Sequence, residues 1–250
     1  MIKHYFFLKR GIFFIVIFVS ISLLDASSKF SQPLKLAIDI GHTPKRFGCI
    51  SSRGDTEYEF NKAIATMLYS KLLTNSSIEG MLINKESKEI SLKQRVKLAK
   101  KVKADLFISI HHDSVQKKYL KNWVVNGVNN LYCDKFSGYS LLVSNKNKYP
   151  IKSINLASKI AISFQKRGLN YTLHHAEKIK GESRKWISKD FGIYTADNLV
   201  VLKYVSMPSV LVECGVIVNR EEEELVKSKD YMDKITNSII EAILSYKLSQ

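Results

Sequence analysis

Apolar residues recur along this chain in two alternating rhythms. Short, mainly apolar runs at residues 36–40 (Leu-Ala-Ile-Asp-Ile), 106–110 (Leu-Phe-Ile-Ser-Ile) and 210–212 (Val-Leu-Val) read as buried strands, and residues 81–84, 139–144 and 199–204 as further ones. Between the runs, apolar positions return every three or four residues. Phe60, Ile64, Met67, Leu68 and Leu72 predict a helix over 57–72, and Val96 with Ala99 predicts one over 92–102. Ala157, Ile160 and Ala161 predict a helix over 154–164, and Met232, Ile235, Ile239 and Ile243 form the stripe of a final one. Such alternation predicts an α/β fold: a single domain with a central, largely parallel β-sheet flanked by helices on both faces. Residues 122–130 are rich in turn formers and read as a surface loop. No internal repeat, low-complexity tract or second module is visible.

Side chains capable of chemistry stand where these elements end. His42 follows Gly41 just beyond the first run, His111 directly follows the second, and Glu213 closes the third, which Pro208 introduces and Gly215 ends. In open α/β sheets ligands bind beyond the carboxyl ends of the strands, so three polar groups placed there can converge. A fourth comes from a helix. Thr56-Glu57-Tyr58-Glu59 has the form of a capping box, which occupies Glu59 and leaves Glu57 free to reach outward. Two imidazoles and a carboxylate, from His42, Glu57 and His111, suit one Zn2+ at about 2.0 to 2.2 Å with a fourth position open for water, whose pKa zinc lowers to roughly 7. Glu213, its pKa raised by burial, is the candidate general base and acid.

Each residue also has a plainer reading. A lone histidine at a strand end is usually a satisfied surface or core residue, and His42 and His111 depart from that only jointly. Glu57 by itself is a favourable charge at a helix N-terminus, and Glu213 by itself is half of a buried ion pair. Asp39 reads as a hydrogen-bonding group beside the site rather than a ligand, and Asp113 with Ser114 as residues that shape the loop after His111.

With these residues in place the chain resembles a known family, the zinc-dependent N-acetylmuramoyl-L-alanine amidases of the amidase-3 type, from about residue 36 to the end. Ile38-Asp39-Ile40-Gly41-His42 is similar to the family's first ligand motif, and Glu57 with Asn61 to its second. Arg95, Ala99 and the stretch from Ala104 through Asp105, Ser109 and His111 resemble the third. Pro208, Ser209 and Glu213, followed by Gly215, Asn219 and Glu222, resemble the motif of the catalytic glutamate. The resemblance implies hydrolysis of the amide between the lactyl group of N-acetylmuramic acid and L-alanine in peptidoglycan. There are departures: Thr43 and Pro44 stand where the family usually has glycine after the first histidine, His112 replaces a small residue, and Val216 replaces a frequent aromatic. Residues 174–191, with His174, His175, Glu177, Glu182 and Arg184, form a longer polar segment than in the shortest members, a candidate lid or regulatory insertion; solvated loop histidines are the plainer reading.

Lys3, Lys9 and Arg10 precede a fourteen-residue apolar stretch at 11–24, followed by small residues at Ala26, Ser27 and Ser28. This is a secretory pattern, too short for a comfortable span of about 20 residues. Residues 1–26 are therefore expected to be a signal peptide, or an uncleaved anchor. Residues 27–34 are a short tether, and 35–250 the catalytic domain. Three cysteines leave at least one thiol unpaired: Cys214 reads as buried and inert, and Cys49 with Cys133 is the candidate disulfide, subject to geometry. Net charge is +16, and +14 once Lys3, Lys9, Arg10 and Asp25 leave with the signal.

Such an excess favours polyanions, which for an exported chain means carboxylate-rich wall peptides or anionic lipid rather than nucleic acid. The expected partners are peptidoglycan or muropeptides, with room for a protein activator. The chain is expected to work as a monomer in the periplasm or cell envelope, and to touch membrane only if its N-terminal segment stays uncleaved. Two alternatives share the fold or the chemistry: a non-catalytic wall-binding or adaptor protein, and a metallopeptidase acting on ordinary peptides. Retention of all four site residues favours the amidase.

Overall fold

The computed structural model describes residues 32–249; the signal segment 1–26 and the tether as far as residue 31 lie outside the described residues. Seven strands form one sheet in the order β2-β1-β3-β9-β6-β8-β7. They are β1 (Leu34–Ile40), β2 (Ile78–Ile83), β3 (Leu106–Asp113), β6 (Ser140–Val143), β7 (Trp186–Ser188), β8 (Ile193–Thr195) and β9 (Ser209–Val216). The pairings β1 with β2, β1 with β3, β3 with β9 and β6 with β8 are parallel; β6 runs antiparallel to β9, and β7 to β8. A separate hairpin joins β4 (Lys121–Val125) to β5 (Val128–Tyr132).

The central strands are apolar on both sides because helices cover both faces. On β1, β3 and β9 one set of alternate residues, Leu36, Ile38 and Ile40 with Leu106, Ile108, Ile110, Val210 and Val212, enters one core with α1 (Glu57–Leu72), α3 (Pro150–Lys166) and α6 (Lys229–Lys247). The intervening set, Ala37, Phe107 and Leu211, faces a second core with α2 (Leu92–Lys101) and α4 (Val200–Tyr204). The remaining helix, α5 (Arg220–Lys227), follows β9. No helix among the described residues is long and apolar enough to cross a membrane.

Polar residues continue the second set toward the strand ends. Asp39 and Ser109, paired in register, are both buried, and the Ser109 hydroxyl donates to Asp39 Oδ2 at 2.8 Å. Arg95, reaching in from α2, donates to Asp39 Oδ1 at 2.6 Å and to the carbonyls of Ile40 and His42. Asp39 is thus a hydrogen-bonding group beside the site, as expected, and its partner Arg95 holds the chain at the point where β1 gives way to His42.

Several sequence expectations need correction. Residues 199–204 are not a strand: 200–204 form helix α4, with the Lys203 amide donating to the Leu199 carbonyl. A short apolar run does not declare its period, and burial of Val201 and Leu202 against α2 decides the outcome. Residues 122–130 are on the surface but belong to the β4–β5 hairpin rather than a loop. Asn126 and Gly127 both have positive φ, 50° and 78°, as the mirror-image two-residue turn requires. All three cysteines are free, so Cys49 and Cys133 form no disulfide.

Removing one partner of a fully buried ion pair leaves an uncompensated charge. We therefore expect Arg95→Met to cost about 3 to 5 kcal/mol in urea unfolding, and Asp39→Leu combined with it to recover much of the loss. Equal stability of the single variant and wild type would contradict the assignment.

Candidate metal centre

His42, Glu57 and His111 meet at the carboxyl end of the sheet. β1 and β3 are parallel neighbours, so their ends lie side by side, and the Gly41 amide ties them further by donating to the Ile110 carbonyl at 3.0 Å. Glu57 opens α1, whose capping box is present in full: Glu59 reaches back to the Thr56 amide, and the Thr56 hydroxyl accepts from the Glu59 amide. With Glu59 engaged there, Glu57 turns inward and is buried.

The Glu57 carboxylate bridges the two imidazoles. Oε2 lies 3.0 Å from His42 Nε2 and Oε1 lies 2.9 Å from His111 Nδ1, with the rings edge to face at a centroid distance of 5.0 Å. Three donor atoms, one per residue, fall within 4.8 Å of one another. Burial tends to raise the Glu57 pKa, but hydrogen bonds to His111 and His42 and their charge prevail and hold it well below the carboxylate range. Asn61, one helical turn on, donates to Glu57 Oε1 and to the Gly41 carbonyl at 3.2 Å each, while its Oδ1 meets His112 Nδ1 at 2.8 Å. His112 is fully enclosed, and burial lowers its pKa to about 3, so it packs as a neutral ring against Phe60.

Two glycines make the approach possible. Gly48 has φ +83°, and a Cβ there would collide with Glu57 Oε2 and the His42 ring. A Cβ on Gly41 would strike the His111 ring. In the loop after β1, His42 itself takes a positive φ of 66°, and Thr43 Oγ1 donates to Glu89 at 2.8 Å. Sequence reasoning passed over Gly48, because Gly54 stands between it and the helix and nothing local distinguishes the two.

Glu213 lies beside His111 in the register of β3 and β9, on the same face. Its other neighbour in register is Ser140 of β6. Both are buried, and neither Glu213 Oε2 nor Ser140 Oγ has a hydrogen-bond partner in the structure. Burial, then the charges of Asp113 and Glu57, push the Glu213 pKa well above the carboxylate range, opposed by His175 and Arg184. Asn219 and Glu222 shape the end of β9: Asn219 caps α5, and Glu222 accepts from the Gly138 amide at 2.7 Å and the Val216 amide at 2.9 Å. His174 and His175 are not solvated loop residues, since both are buried against Asp113; further along the segment Trp186 stacks on Tyr194 at 4.0 Å.

Fold and site together define an open α/β protein whose functional groups, including a candidate metal-binding triad, gather at the carboxyl ends of its parallel strands. Residues 36–245 match the model of the N-acetylmuramoyl-L-alanine amidase family, and the chain belongs to that family. The chain is 30% identical over 247 residues to the N-acetylmuramoyl-L-alanine amidase AmiA of Escherichia coli, covering 90% of this chain and 82% of that one. The structure of an N-acetylmuramoyl-L-alanine amidase from Clostridium difficile superposes with a TM-score of 0.68 at 25% identity, over 88% of this chain and all of the other. The catalytic domain of CwlV from Paenibacillus polymyxa gives 0.63, also at 25%, over 85% and 97%. The activity is that of the family, hydrolysis of an amide in peptidoglycan.

Glu222 supplies a pH test of the strand end. Burial, and to a lesser extent Asp113, raise its pKa to about 7 against the two amides it accepts, so the folded chain binds more protons there than the unfolded one. Its contribution is full below about pH 4.5 and is lost as pH rises through about 7. Between those limits wild type should lose roughly 3 kcal/mol relative to Glu222→Gln in denaturant titrations. Parallel pH profiles of the two proteins would contradict this.

Proposed function

We propose that this chain cuts the amide between the lactyl group of N-acetylmuramic acid and L-alanine by zinc-dependent hydrolysis. His42, Glu57 and His111 hold one Zn2+, and Glu213 moves the proton. The observation that carries this reading is the carboxylate of Glu57 lying between two imidazole nitrogens at 2.9 and 3.0 Å, with Glu213 in the adjacent register position and its Oε2 unpartnered. The donor set fits the ion: zinc bonds of about 2.0 to 2.2 Å at tetrahedral angles place ligand atoms about 3.3 to 3.6 Å apart, and here the Glu57 oxygens stand 2.9 and 3.0 Å from the two ring nitrogens, with all three donors within 4.8 Å of one another. Bound there, zinc supplies a Lewis acid that polarises the scissile carbonyl and makes water acidic enough to react near neutral pH.

The chain's own groups do the rest. Asn61 orients Glu57, and Arg95 fixes the backbone that carries His42. His42 is a third exposed and marks the side from which the substrate reaches the cluster, whereas Glu213 is enclosed. Low local polarity and the nearby Asp113 and Glu57 charges raise the proton affinity of Glu213, so it takes the proton of the attacking water and returns it to the leaving nitrogen of alanine. A substrate of this kind places the protein outside the cytoplasm, in the periplasm or cell envelope. The net charge of +16 suits a partner rich in carboxylates.

Glu213→Ala should keep its metal content near that of wild type and lose about 100-fold or more in turnover on purified peptidoglycan. A chelator should abolish turnover in wild type, and released stem peptide should carry a new alanine N-terminus. Normal turnover in Glu213→Ala would assign the base to another residue, and cleavage between amino acids would identify a peptidase.

A further inference from the structure

Beyond His111 the same strand ends in a second cluster, of which the amide chemistry draws only on the charge of Asp113. Asp113 Oδ2 lies 2.8 Å from His175 Nε2 and 3.2 Å from His174 Nε2, and the donor atoms of all three residues fall within 4.8 Å of one another. The two histidines are 1% and 6% exposed. None of the three facing atoms, all enclosed, makes a hydrogen bond of acceptable geometry, despite the short separations. They crowd together without satisfying one another.

The far side of each ring is already engaged. His174 Nδ1 meets Thr172 Oγ1 at 2.8 Å, and His175 Nδ1 meets Glu182 Oε2 at 3.0 Å; Glu182 is held in turn by the side-chain amide of Gln116 at 3.0 Å. An ionised carboxylate only accepts, so His175 Nδ1 carries a proton, and in the neutral ring the lone pair is on Nε2, facing Asp113. Protonating His175 alone is favoured by Asp113 and Glu182 on its two sides but leaves His174 Nε2 without a well-aligned partner, and protonating both rings is a poor remedy, because their centroids are 4.3 Å apart and two buried like charges repel. One cation shared by the three atoms accepts every lone pair and leaves both rings neutral. A carboxylate behind a metal-bound imidazole, as Glu182 stands behind His175, is the usual way such a ring is oriented.

We propose that Asp113 Oδ2, His174 Nε2 and His175 Nε2 form a second cation site, separate from His42, Glu57 and His111, that binds a divalent transition metal of the zinc type. Two imidazoles and one carboxylate suit that class of ion. The ion fastens residues 174–184 to the strand end that carries His111, in the neighbourhood of Glu213. Phe136 packs against the His174 ring and Tyr194 against the His175 ring, each at a centroid distance of 5.3 Å, so the walls of the site are built.

The test counts metal. Full-length protein stripped with chelator and titrated with Zn2+ should take up two equivalents by equilibrium dialysis with elemental analysis. His42→Ala, Asp113→Asn and His175→Gln should each keep one, with circular dichroism showing that each is folded. Trypsin should cut after Lys178 and Lys180, both exposed, slowly in metal-loaded wild type and His42→Ala but at least several-fold faster in metal-loaded Asp113→Asn. A single equivalent in wild type overturns the second site without recourse to any variant. If that equivalent is lost in His42→Ala and kept in Asp113→Asn, the amidase reading stands while this one falls. Two equivalents that survive in both Asp113→Asn and His175→Gln also overturn it.

Discussion

A carboxylate buried between two imidazoles is costly unless positive charge joins them, and the carboxyl end of this sheet is organised around that constraint. Glu57 is almost fully enclosed, yet both its oxygens face ring nitrogens at hydrogen-bonding distance. The sheet brings the rings together because β1 and β3 run parallel and adjacent, and the capping box of α1 sets the angle at which Glu57 enters. Gly48 and Gly41 clear the space that any side chain would fill. Four local features, each with its own physical cause, converge on one point.

Support for that point comes from ordinary polar packing. Arg95, Asp39 and Ser109 form a buried network one step below the histidines, and Asn61 spans from Glu57 to His112. A site that must hold its donors within a few tenths of an ångström needs such backing, because the loop after β1 has no regular hydrogen-bonding ladder of its own. On the other side of His111, Glu213 is left with one oxygen unpartnered in an apolar strand. Burial of that kind is destabilising for a purely structural residue and useful for one that must exchange a proton.

Much of this was legible in the sequence. The runs at 36–40 and 106–110 identify central strands because apolar residues at consecutive positions suit strands covered on both faces, and Thr56 with Glu59 pins the start of α1 to the residue. Residues 200–204 read as a strand because a short run of apolar and β-branched residues interrupted only by Lys203 fits a helical turn as readily. The hairpin was missed although Asn126-Gly127 announces it, since its strands are too exposed to show an apolar face. Strands β7 and β8, of three residues each, are shorter than any periodicity can register. His174 and His175 stood out as chemistry, but their partner Asp113 lies about sixty residues upstream, and nothing local joins them. Long-range pairing of that kind, like the absence of a bond between Cys49 and Cys133, is decided by tertiary geometry alone.

The central claim concerns a shared ion, and anomalous diffraction at the zinc edge from crystals of the zinc-loaded protein tests it most directly. The account predicts a peak about 2.0 to 2.2 Å from His42 Nε2, His111 Nδ1 and a Glu57 oxygen together. A fully loaded crystal with those three side chains ordered and no anomalous peak among them would contradict it.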